Sequence, residues 1–215
     1  MALNKLKFNS INVTPAASTA IRFNSGANGF ETASAGGSLV KIASTTASSS
    51  SSISFTSGID STYKEYIFIL NNLHPQNDGQ NLFFNLSIDG GSNYNVTKTS
   101  TFFRANHNEN DSAASLNYRT GEDAAQSTAN IKLNLGTNGS DADSGCSGIF
   151  YLFEPSNTTF VKHFIARISD AFDEPSINDC FIGGYGNTTS AVNAITFLFG
   201  SGNIDSGTIA MYGVK

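Results

Sequence analysis

Tryptophan is absent from this 215-residue chain, and cysteine, histidine and proline number only two, three and four. Charged residues make up 13% of the sequence, about half of the roughly 25% usual for soluble domains. Each scarcity removes a class of function. Two cysteines with no C-x-x-C spacing and three scattered histidines (His74, His107, His163) form no zinc or iron ligand pattern. A net charge of −5 with 12 dispersed basic residues, none in a cluster longer than Lys5–Lys7, gives no electrostatic footprint for nucleic acid and no polybasic membrane patch. No run approaches the roughly 18 apolar residues that span a bilayer. Met1–Ser10 lacks the continuous apolar core of a signal peptide.

Catalytic signatures are missing as well. No G-x-S-x-G elbow occurs. Cys146 sits in Gly145-Cys146-Ser147-Gly148, but its neighbours Asp141 and Asp143 oppose thiolate formation, so it reads as inert. Cys146 and Cys180 are expected to be buried and unpaired. The oxygen-rich loops Asn106–Asp111 and Asp141–Gly145 read as solvated turns rather than calcium sites, because neither carries a full ligand set. No cofactor, no metal and no catalytic residue is assigned, and the chain is expected not to be an enzyme.

What is abundant is Phe (17), Tyr (7) and a roughly one-third share of Asn, Ser and Thr. Aromatic bulk argues against disorder. Hydroxyl- and amide-rich turns between apolar strands fit it instead. Phe84, Leu86 and Ile88 alternate with Asn85, Ser87 and Asp89, and Asp89-Gly90-Gly91 then predicts a hairpin into a return strand over Tyr94–Phe103. Glu65–Leu70 is a near-continuous apolar run, expected to be central in a sheet or buried on both faces. Ile131, Leu133 and Leu135 alternate with Lys132 and Asn134; Ile149–Phe153, Phe160–Ile168, Cys180–Tyr185, Ala194–Phe199 and Thr208–Val214 supply further strands. Ala124–Thr128 reads as a turn. No sustained helical period appears. Ten or so strands predict an all-β fold, an antiparallel β-sandwich of jelly-roll type, over residues 37–215.

Residues 1–36 differ. Leu6-Lys7-Phe8-Asn9-Ser10 is echoed by Ile21-Arg22-Phe23-Asn24-Ser25 across a Thr14-Pro15 connector. Two short segments cannot enclose a core. They predict an extended N-terminal arm whose Phe8 and Phe23 plug into a partner subunit.

From Ser54 onward a set of motifs stands together. Ser54-Phe55-Thr56-Ser57-Gly58-Ile59-Asp60-Ser61-Thr62-Tyr63 leads into Glu65–Leu70, followed by Asn72-Leu73-His74-Pro75 and Ser87-Ile88-Asp89-Gly90-Gly91-Ser92-Asn93-Tyr94. The chain closes on Ser206-Gly207-Thr208-Ile209-Ala210-Met211-Tyr212-Gly213-Val214-Lys215. From Gly37 to the last residue this series resembles structural proteins of marine tailed bacteriophages, cyanophages among them. The resemblance implies a non-catalytic virion protein of tail-fibre or receptor-binding type, assembled in the host bacterial cytoplasm as a homotrimer against other virion proteins. A capsid decoration or head-fibre protein is the alternative, and a polysaccharide-degrading enzyme the remote one. An uncharged surface of hydroxyls and amides also suits weak multivalent contact with host-surface glycan, for which His74, Tyr94 and Tyr118 are the candidate contacts.

Overall fold

A computed structural model describes residues 19–23, 25–34, 38–136, 138–172 and 175–215. The described residues fall into two units, those up to Ser38 and those from Leu39 onward. In the first, β1 (Thr19–Phe23) and β2 (Phe30–Ser34) pair antiparallel, with Phe23 opposite Phe30 and their rings stacked 4.9 Å apart. Phe23, one of the two expected plugs, therefore sits on a hairpin, its ring largely exposed. Phe8 lies outside the described residues.

The second unit is all β. Its strands are β3 (Leu39–Thr46), β4 (Ile53–Phe55), β5 (Glu65–Pro75), β6 (Leu82–Ser87), β7 (Lys98–Asn108), β8 (Ala114–Tyr118) and β9 (Ala124–Ser127), then β10 (Ile131–Lys132), β11 (Gly145–Phe153), β12 (Lys162–Phe172), β13 (Ser176–Gly186), β14 (Ala194–Phe199) and β15 (Ile204–Val214). They build two antiparallel sheets of a β-sandwich. The larger has the order β3-β15-β5-β11-β12-β13-β7-β8, with β9 also on β7; the smaller runs β10-β6-β14-β4.

Alternation explains which side chains meet between the sheets. On β5, β11 and β12 the even-numbered Phe68, Phe150 and Phe164 point inward, as do Phe55 on β4, Phe84 on β6 and Phe197 on β14. Six rings from both sheets thus form one cluster. Phe84 lies edge-on to Phe150 at 4.6 Å and to Phe164 at 4.9 Å, and Phe68 contacts Phe55, Phe150 and Phe197 at 5.4–6.0 Å. Such pairs add about 0.5–1.5 kcal/mol each beyond the area they bury.

Several expectations are corrected. The segment after Asp89-Gly90-Gly91 does not return as a hairpin: β6 pairs with β10 and β14, while β7 begins only at Lys98 and lies in the other sheet. Local hydrogen bonds explain the departure. Ser87 Oγ accepts from the amides of Asp89 and Gly91, Asp89 accepts from the amide and side chain of Asn93, and both glycines have positive φ. The turn closes on its own side chains and releases the chain across the sandwich.

Nor is the polar face of β6 solvated. Asn85 and Ser87 are buried, and Ile88 is exposed beyond the strand end. The Asn85 side chain donates to Tyr94 O, Thr128 O and Asn130 Oδ1, and its Oδ1 accepts from the fully buried Lys98 Nζ at 2.6 Å. Burial pushes the Lys98 ammonium down to about 8.

Asn134 points inward instead of alternating outward, and its Oδ1 accepts from the Leu82 amide. Ala124–Thr128 is largely strand β9 rather than a turn. Phe160 precedes its strand and is exposed. The Glu65–Leu70 run is central, between β15 and β11, but only one face of it is fully buried.

The two cysteines are free and buried. Cys146 on β11 is opposite Asp170 of β12, and Cys180 on β13 is opposite Ile168 of the same strand. Two strand spacings, about 9–10 Å, separate them. That exceeds the roughly 7 Å Cα limit of a disulfide. Burial and the Asp170 charge raise both thiols, Cys180 to about 12; Asp170, not the expected Asp141 and Asp143, is the carboxylate that matters.

Two measurements check this packing. Phe150→Ala should lower unfolding stability by about 3–5 kcal/mol in a urea titration, whereas the outward Tyr151→Ala should cost about 1 kcal/mol or less. A thiol reagent should label neither cysteine until denaturant is added; rapid labelling of the native protein would contradict the burial.

Candidate functional site

The outer face of the large sheet is where side chains gather without being covered by the second sheet. Alternation on β11, β12 and β13 sends Ser147, Ile149 and Tyr151, then Ile165, Arg167 and Ser169, then Ile177, Asp179 and Phe181 outward. Register aligns them into cross-strand rows. Ile149 faces Arg167, Arg167 faces Phe181, Phe181 faces Phe103 on β7, and Phe103 faces Tyr118 on edge strand β8. The row is physically continuous: the Arg167 guanidinium lies 4.9 Å over the Phe181 ring, and Phe181 and Phe103 stack nearly parallel at 5.0 Å. Arg167 is also held by Asp179, Nε to Oδ1 at 3.0 Å and the terminal amine to Oδ2 at 2.5 Å. The pair lines up a planar fork with a carboxylate and spends the guanidinium's charge locally.

Beside this row lies a trough. Small outward residues (Gly145, Ser147, Ser169, Ala171) leave two adjoining cavities of about 290 and 480 Å³, which share Ser147, Ser169 and Ile177 in their walls. One end is bounded by Tyr151 and Arg167, the other by His74 and Asp143. Gly145 has φ +145°, and a Cβ there would come within 2.9 Å of the His74 ring, so the imidazole lies directly on glycine backbone. Any larger residue would displace it.

The wall at that end is fastened from inside the sandwich. Ser144 Oγ donates to Ala171 O at 3.0 Å and accepts from the Gly139 amide at 2.7 Å. Asn138 Nδ2 also reaches Ala171 O, and Asn134 Nδ2 donates to Asp170 Oδ2 at 2.8 Å. Asp170 is fully buried. Burial raises its carboxyl from 3.8 to about 6, against the opposing pull of bonds from Asn134 and Asn178 and the charge of Arg104.

Of the three candidate contacts, His74 lines the trough. Tyr118 shares the outer face but stands five strand spacings away, about 24 Å, with its hydroxyl on Asp123 Oδ2 at 2.6 Å. Tyr94 belongs to neither; it packs against the Gly91 turn and its hydroxyl is buried. The residues that sequence reading missed are Arg167, Ser169, Ile177 and Asp179. Their signal was present: Lys162–Phe172 and Ser176–Gly186 carry apolar residues at both odd and even positions, which marks an apolar outer face as well as a core. His163 is exposed on that face, its ring 6.1 Å from Tyr185.

The oxygen-rich loop Asn106–Asp111 satisfies itself, with His107 Nε2 3.1 Å from Asp111 Oδ1 and Asn108 on Ser112. Among the described residues no three His, Cys, Asp or Glu side chains converge on a metal-sized site. Comparison with protein-family models, curated proteins and solved structures gives no match to this chain.

Asp170 makes stability depend on pH in a defined direction. Its folded value lies above its ordinary one, so its contribution is fully present below about pH 4 and is lost as pH rises through about 6. The displacement corresponds to on the order of 3 kcal/mol. Asp170→Asn should therefore flatten the pH 4–7 limb of the stability profile and stabilise the protein at pH 8. An unchanged profile in urea titrations across that range would exclude the linkage.

Proposed function

We propose that this chain is a non-catalytic structural protein on the exterior of a phage particle, of the tail-fibre or receptor-binding type, anchored by its N-terminal residues. The observation that carries this reading is the β1–β2 hairpin. A two-stranded hairpin is marginal alone in water, yet this one presents Ile21, Phe23 and Phe30 to solvent. Such a face gains its stability by docking, here on another virion protein. The motif series from Ser54 to the C-terminus, with its resemblance to structural proteins of marine tailed phages, supplies the setting.

Strand order supports the same reading. Within the larger framework, β3-β15-β5-β11 stands against β4-β14-β6-β10. Successive strands of this set hop between the sheets in the path of two interlocked Greek keys, so we read the sandwich as a jelly roll. β7–β9 and β12–β13 are then insertions that widen one sheet. Jelly rolls recur in viral capsid and lectin domains, although a fold by itself assigns no function. Trimeric assembly belongs to the same proposal.

Deleting residues 1–36 should abolish incorporation into particles while leaving a folded sandwich. Phe23→Ser should weaken incorporation without changing the sandwich's unfolding midpoint. Mass spectrometry of purified particles checks both, and a truncated chain still present in virions would refute the anchor. The same measurement gives copy number. A count matching the tail appendages supports the fibre reading; a count matching the capsid lattice replaces it with the decoration protein.

A further inference from the structure

We propose that the trough over β11, β12 and β13 binds a neutral oligosaccharide laid along the strands. The inference rests on the exterior-virion reading for its biological setting, but the binding itself stands on the trough's chemistry.

Shape comes first. The two adjoining cavities run from Tyr151 and Arg167 to His74 and Asp143. Gly145 to Tyr151 spans six residue steps of strand, about 20 Å at roughly 3.4 Å per step. That suits a short chain of sugar rings better than a single compact ligand. The larger cavity alone has the volume of a small-ligand cleft.

Ile149 and Ile177 are exposed on the lining and offer apolar surface to the carbon faces of a ring. Around them are groups with hydrogen-bonding capacity to spare. Among the described residues, the side chains of His74, Asp143, Tyr151 and Ser169 have no hydrogen-bond partner within the chain. A strip of apolar floor edged by an imidazole, a carboxylate and two hydroxyls matches a polyol, which is apolar on its faces and hydroxylated at its rim. It does not match the closely packed apolar centre of a protein–protein interface.

Charge decides between sugar classes. The one arginine on the lining is committed to Asp179 through two short hydrogen bonds and to the Phe181 face. Asp143 and Asp179 leave the lining with carboxylates in excess of available cations, His74 aside. An acidic polysaccharide or a phosphate-bearing ligand would meet repulsion there. A neutral glycan would not. Single-site affinity in such an open trough is weak, near the millimolar range, and repeated copies on one particle would raise it by avidity.

The test uses the purified full chain. Neutral oligomers of glucose, galactose and mannose, and acidic alginate oligomers as the contrast, are titrated by saturation-transfer NMR and calorimetry. At least one neutral series should bind. Ser169→Trp, an outward position in the middle of the trough, should weaken it at least tenfold, while Leu116→Ser on the exposed edge strand should leave it unchanged. Near-UV circular dichroism establishes that both variants are folded. Absence of binding to every neutral oligomer overturns the proposal, as does equal binding by Ser169→Trp or binding to alginate alone. Detection of the chain in purified particles is independent of these outcomes, so the virion reading and the sugar site fail or stand separately.

Discussion

The packing of six phenylalanine rings between two sheets is the constraint on which this structure depends. Phe55, Phe84 and Phe197 come from the smaller sheet; Phe68, Phe150 and Phe164 come from the larger one. Their edge-to-face and tilted contacts fix the separation and relative placement of the sheets near the cluster. A four-stranded sheet covers only part of a nine-stranded one. On β12, β13 and β7 the side chains of one parity (Phe164, Ile168, Ile182 and Phe102) are buried, and the same alternation delivers Arg167, Phe181 and Phe103 to the opposite, outer face. Core and outer face are two consequences of one period-two pattern.

Around the aromatic centre, the sandwich is closed by buried polar networks rather than by more hydrocarbon. Lys98 and Asn85 hold the crossing segment of residues 94–96. Asp170, Asn134 and Asn138 hold the loop that walls the trough. Each network keeps an ionisable group in a setting that disfavours its charge, which lowers Lys98 and raises Asp170. With so few charged residues in the chain, hydroxyls and amides do most of the satisfying of buried donors and acceptors, and a buried amide that is fully bonded costs little.

Strand existence was legible from the residues because alternation is local. Phe84 and Leu86 read as inward, and they are; the two cysteines, expected to be buried and unpaired, are free and buried. What failed was pairing. Asp89-Gly90-Gly91 has the composition of a hairpin turn, but its side chains bind one another and the chain crosses to the opposite sheet. Asn85 and Asn134 look like solvent-facing partners of apolar neighbours, yet their hydrogen-bond partners include Leu82, Thr128 and Asn130, each more than forty residues away. Of the proposed contacts, His74 reached a cavity, because Gly145, distant in sequence, lets its ring lie against bare backbone.

The sequence by itself determined that this protein is all β, aromatic-cored and poor in charge, since those properties follow from composition and from a two-residue repeat within each strand. Only the tertiary structure decided which strands share a sheet, which polar side chains are sealed inside, and that a row from Ile149 through Arg167 and Phe181 to Tyr118 crosses five strands beside an open trough. The physical reason is that register and sheet membership are set by hydrogen bonds and packing between segments far apart in the chain, and no local pattern encodes them.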